Sequence, residues 1–100
     1  MKNTEKTEIN KDMEKIIEKL KKAISHSDRF ERDQCKLVDV KLNSESNTIF
    51  VTYTSPFTTS KQYLQISDIV GSFISYESSF FVSTSRLGIL DIFATISFSL

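Results

Sequence analysis

The chain reads as an α+β protein: two helices packed on one face of an antiparallel three- or four-stranded sheet, in the order α-β-β-α-β(-β). Three observations predict this. In two segments apolar residues recur at steps of three and four, the period of a helix with one buried stripe. Elsewhere they recur at every second position, the period of a strand. Only two glycines and one proline occur in 100 residues, which leaves little material for long irregular loops.

Residues 1–7 are polar and read as a flexible N-terminal tail; residues 8–100 read as one domain. Ile9, Met13, Ile16, Ile17, Leu20 and Ile24 then form one helical stripe. Lys11, Asp12, Glu14, Lys15, Glu18 and Lys19 lie off that stripe and provide the solvated face. Lysines gather toward the C-terminal end, where they complement the helix dipole. The spacing predicts a helix over about 8–26, with Phe30 as its furthest reach.

Residues 35–42 alternate, placing Val38, Val40 and Leu42 on one side and Leu37, Asp39 and Lys41 on the other. Asn43 to Asn47 has turn composition. The β-branched and aromatic run from Thr48 to Thr54 is the return strand of a hairpin. Ile49, Val51 and Tyr53 share one of its faces, and Phe50, Thr52 and Thr54 share the other.

Pro56 ends that strand. Thr59 or Ser60 can cap a second helix, with Gln62 completing a capping box from Thr59. Its stripe is Tyr63, Ile66, Val70, Phe73 and Ile74, and Gly71 inside it marks a close approach to the sheet. From Phe80 onward the period is two. Gly88 fits a turn or bulge, and Leu90 to Leu100 alternates strictly.

Charge is divided unevenly. Residues 1–45 hold eleven of thirteen basic and ten of thirteen acidic residues. The remainder of the chain substitutes serine and threonine. The net charge is zero, which argues against phosphate-backbone binding and against a polybasic membrane anchor. No apolar run reaches the ~18 residues of a membrane span, and residues 1–10 lack a signal-peptide core. With Cys35 the only cysteine, no internal disulfide forms and nothing points to an oxidising compartment. The expected location is cytoplasmic.

Catalytic and metal chemistry find little to work with. One histidine, His26, and one cysteine, Cys35, fall short of a zinc set. Cys35 and His26 are nine positions apart with no orienting third group in sequence, so Cys35 reads as a buried residue. Asp68, Glu77 and Asp91 are the only acids beyond residue 45, and Asp91 reads as a strand charge that discourages aggregation. No phosphate-cradling glycine loop exists. The chain therefore reads as non-enzymatic, without a catalytic, cofactor or metal set.

The informative feature is the second face of the sheet. If Val38, Ile49, Phe80 and Ile92 face the helices, parity puts Leu37, Phe50, Phe81 and Phe93 on the opposite face. A half-open antiparallel sheet normally shows polar residues there. Four large apolar groups among threonines and serines read either as scattered exposed or edge residues with no cluster, since single exposed apolars are common, or as an interface, since interface cores are poor in charge and rich in aromatics. The leading reading is a module that pairs with itself as a homodimer, or with another protein, through the open sheet face or a sheet edge. An alternative places a small-molecule or catalytic pocket between the second helix and the sheet near Tyr53, Tyr63 and Tyr76. A weaker alternative is single-stranded nucleic acid stacked on the phenylalanines, with Lys36, Lys41, Lys61 and Arg86 as the available cations.

Overall fold

The apolar stripe that begins the chain becomes α1, Lys2–Ser25, which starts ahead of the expected position near residue 8. The computed structural model describes the backbone of residues 2–56, 60–87 and 91–100. It describes the side-chain surroundings of residues 12–56, 61–82, 84–85 and 92–100. Leu20 and Ile24 are fully buried, and Met13 and Ile16 pack at the margin of the core. Burial of a leucine or isoleucine side chain is worth roughly 1.5–3 kcal/mol, so this stripe fixes the helix more firmly than its ion pairs do. Lys21 lies 3.6 Å from both Glu18 and Asp39, but such exposed pairs contribute little.

The helix does not run on to Phe30. It breaks at His26–Ser27, and a second short helix, α2, spans Asp28–Arg32. In a continuous helix the six steps from Ile24 to Phe30 would rotate Phe30 about 120° off the stripe. The break instead brings Phe30 into the core at 1% exposure. The α2 end carries a Schellman closure: Gln34 takes φ 60, its N–H donates to the Glu31 carbonyl, and the Cys35 N–H donates to the Phe30 carbonyl. That geometry turns the chain directly into the first strand.

The strands are β1 (Lys36–Asn43), β2 (Thr48–Ser55), β3 (Ser78–Leu87) and β4 (Asp91–Ser99), and α3 (Ser60–Phe73) lies between β2 and β3. All neighbouring pairs are antiparallel, in the order β1-β2-β4-β3. The fold is α+β; the short α2 is added to the expected order, and the segment from Phe80 onward forms two strands. The Asn43 side chain closes the first hairpin by accepting from the N–H groups of Glu45 and Ser46 at 3.1 and 3.3 Å. Asn47 takes the left-handed conformation, φ 54, which asparagine tolerates. The expected cap at Thr59 and the turn at Gly88 lie outside the described residues.

The central strands sort their side chains cleanly. Ile49, Val51 and Tyr53 stand opposite Phe98, Ile96 and Ala94, and all six are fully buried beneath the helices. Both edge strands depart from simple alternation. β1 shifts register between Leu37 and Asp39, and β3 shifts between Phe81 and Ser83. Each shift is a bulge that leaves a valine, Val38 or Val82, about half exposed at 51% and 48%. Val38 therefore does not share a buried face with Val40 and Leu42, because the extra residue resets the parity of everything before it. Gly71 is also corrected: it is exposed rather than pressed on the sheet, and a Cβ there would meet only the Tyr76 ring at 3.7 Å.

Candidate functional site

The open face of the sheet is built by the residues that alternate with the buried set. Register places Phe50 beside Ser97, and Ser97 beside Phe80. The next row joins Thr52 to Thr95 and Thr95 to Ser83, and the row after joins Thr54 to Phe93 and Phe93 to Ser85. Phe50 and Phe93 thus lie on the open face, as the alternation predicts.

Leu37 and Phe81 do not. Leu37 pairs with Tyr53 and packs against the core, because the bulge at Val38 inverts the parity of the first two residues of β1. Phe81 pairs with Ile96 and meets Tyr63 of α3 with ring centroids 5.1 Å apart. Its place on the open face is taken by Phe80, which is 56% exposed. The run Phe80-Phe81-Val82 is continuously apolar, so alternation gives no signal for which phenylalanine faces the helices. The partner supplied by α3 decides it.

The face is a pattern of ridges and small residues rather than one cluster. Phe50 and Phe80 are separated by β4, roughly 10 Å across two strand spacings, and Phe93 is about 13 Å from their row along the strand. Between the ridges the Thr52 and Thr95 hydroxyls hydrogen-bond each other at 3.1 Å, one donating and the other accepting. Ser97, flanked by the two phenylalanines, is 2% exposed and its hydroxyl has no partner among the described residues. Among the residues whose side-chain surroundings the structure describes, charge on this face lies along the β1 margin, where Lys36, Asp39 and Lys41 occupy the ends of these rows. An uncharged centre with a charged rim is the usual distribution in an interface.

The tyrosines named for a pocket under α3 are occupied in packing. Tyr53 is fully buried and meets Phe30 edge-on at 5.9 Å. Tyr63 hydrogen-bonds Ser79. Tyr76 meets Phe98 at 5.0 Å and donates its hydroxyl to the Ser67 carbonyl at 3.4 Å. They do not converge. A cleft of about 630 Å³ lies instead at the α2–β1 junction, lined by Phe30, Glu31, Gln34, Cys35, Lys36 and Pro56 among others. Sequence reasoning missed it, since it depends on the break before α2.

Cys35 is buried at 6% exposure. Burial pushes its thiol upward, the nearby Asp33 charge adds to that, and a hydrogen bond with Ser55 opposes it. Thiolate is the reactive form, so this environment does not activate the cysteine. Among the described residues no group of three His, Cys, Asp or Glu side chains is placed to hold a metal ion, and no helix is long and apolar enough to cross a membrane. Comparison of the chain with protein-family models, with curated proteins and with solved structures finds no match.

Proposed function

We propose that this chain is a non-enzymatic interaction module that self-associates by packing the open faces of two sheets. The observation that carries the reading is the centre of that face. Phe50, Phe80 and Phe93 project from rows of threonine and serine, and the Thr52 and Thr95 hydroxyls hydrogen-bond each other across the centre. That bond lowers the cost of taking the centre of the face out of water, since one of the two O–H groups keeps its acceptor. Ridges of phenylalanine separated by small residues suit interdigitation between two sheets about 10 Å apart. A second copy is the natural occupant, because a two-fold contact needs only one self-complementary patch. The face is favoured over an edge because both edge strands carry bulges, which blunt strand-to-strand pairing.

Light scattering on the wild type and on Phe50→Ser/Phe80→Ser, with circular dichroism as the folding control, tests this. The expected result is a wild-type dimer and a folded monomeric variant. A wild type that stays monomeric at every reachable concentration, or a variant that stays dimeric, overturns it.

A further inference from the structure

The open face alternates along its strands as well as across them. Thr48 and Ser99 share one row, Phe50 and Phe80 flank Ser97 in the next, Thr52 and Thr95 share the third, and Phe93 stands in the fourth. Rows with phenylalanine thus follow rows of small residues at steps of ~7 Å, two residues of a strand. β1 extends these four rows with Asn43, Lys41, Asp39 and Lys36, in that order. Lys41 and Asp39 are both exposed. Asp39 lies 3.6 Å from Lys21 of its own chain, yet its side chain keeps 53% exposure, so the carboxylate has acceptor capacity for a second cation.

If two such faces pack together, as proposed above, a two-fold axis lies between them, along the strands or across them. An axis along β4 sets Phe50 on the partner's Phe80, ridge on ridge. Moved between β2 and β4, it seats Phe50 over the partner's Ser97 but lays Lys41 over the partner's Phe80, which dries a charge with no counter-charge. An axis across the strands, half-way between the Phe50 row and the Thr52 row, avoids both faults. Phe50 and Phe80 then lie over the partner's Thr52 row, and Phe93 lies over the partner's Ser99. In β1, Lys41 lies over the partner's Asp39, and Asp39 over the partner's Lys41. One row toward Thr48 this charge pair is lost. One row the other way, Phe50 overhangs the end of the partner's β2.

We propose that the homodimer forms about this axis, with each phenylalanine row seated on a threonine or serine row of the second copy and two reciprocal Lys41–Asp39 ion pairs closing the β1 margin. The strands of the two sheets run antiparallel across the interface. Sheets about 10 Å apart are within reach of a lysine and an aspartate extended toward each other. Such rim charges fix register and reject wrong partners more than they add affinity. The inference rests on self-association through the open face and adds to it the axis and the paired charges.

Sedimentation equilibrium on the wild type, on Asp39→Lys, on Lys41→Asp and on an equimolar mixture of the two variants tests this. Each variant alone sets like charges together at both β1 contacts, and its dimer is expected to weaken on the order of tenfold. The mixture sets two cations of one chain against two anions of the other, and a heterodimer at least as tight as the wild type is expected. Variants as tight as the wild type, or a mixture no tighter than its components, overturn the axis. If Phe50→Ser/Phe80→Ser still breaks the dimer in that case, open-face association stands and only the axis falls. A monomeric wild type removes both. Should a variant fail to fold, carbodiimide coupling of mixed isotopically light and heavy wild-type chains decides. A Lys41–Asp39 amide between a light and a heavy chain is expected, and its absence overturns the proposal.

Discussion

The two faces of β2 and β4 are made from alternate positions of the same two strands, and they could hardly be treated more differently. On the covered face Ile49, Val51, Tyr53, Ala94, Ile96 and Phe98 are all fully buried. On the open face Phe50, Thr52, Thr54, Phe93 and Thr95 keep part of their surface in solvent. Both faces hold large aromatic residues, so hydrophobicity alone does not mark the core. The covered face is continuous, every position apolar except Ser55 at its end. The open face interrupts each phenylalanine with threonine or serine. Continuity is what allows the helices to exclude water along a whole strand, whereas isolated ridges remain available to another surface.

The sharpest way to break this comparison is to truncate one phenylalanine on each face at concentrations where the protein is monomeric. Phe98→Ala is expected to cost about 3–5 kcal/mol, because it opens a cavity in the core and removes the Tyr76 contact. Phe50→Ala is expected to cost about 1 kcal/mol, since its side chain is already partly solvated. Denaturant titrations giving equal losses would mean that both faces are core.

The covered face also contains its own polar end, and alkaline titration sharpens that distinction. Burial pushes the Cys35 thiol and the Tyr53 phenol upward. The unfolded chain therefore releases these protons first, so stability is fully present below the unfolded values and declines as pH rises above them. The decline is expected from about pH 9 for Cys35 and from about pH 10 for Tyr53. Its limiting slope is about 1.4 kcal/mol per pH unit for each group. Cys35→Ala should remove the earlier part of the decline, measured as denaturation midpoints across that range.

Two smaller effects test the cover and the edge. Gly71→Ala adds a methyl group on the exposed side of α3 with only an ordinary contact to Tyr76. It is expected to stabilise by about 0.5–1 kcal/mol through helix propensity, visible as a raised melting temperature. A loss would mean that α3 sits closer to its neighbours than a 3.7 Å approach implies. Val38→Thr should change stability by less than about 0.5 kcal/mol, because the bulge leaves Val38 half exposed. The same change at Val40, which is 3% exposed, buries a hydroxyl and should cost more. Equal responses at the two valines would contradict the bulge.

Much of the candidate site is legible in the sequence. Phe50 and Phe93 sit in strands whose neighbours alternate without ambiguity, and both fall on the open face that alternation assigns them. Leu37 and Phe81 depart from simple parity for two physical reasons. A bulge carries no composition signal of its own at Val38, and it inverts parity from that point. The Phe80-Phe81-Val82 run has no alternation to read, so the inward residue is chosen by its contact with Tyr63.

The residues alone set the period of each main element, the order α-β-β-α-β with the segment from Phe80 onward open between one strand and two, and the separation of a charged half from a serine- and threonine-rich half. These depend on residues close together in the chain, where the 3.6- and two-residue repeats act directly. Packing settled that the segment from Phe80 onward forms two strands, that β4 lies between β2 and β3, that α1 breaks so Phe30 can reach the core, and that the two edge strands bulge. Each of those depends on contacts between residues far apart in sequence, and no local pattern records which distant side chain will fill the space.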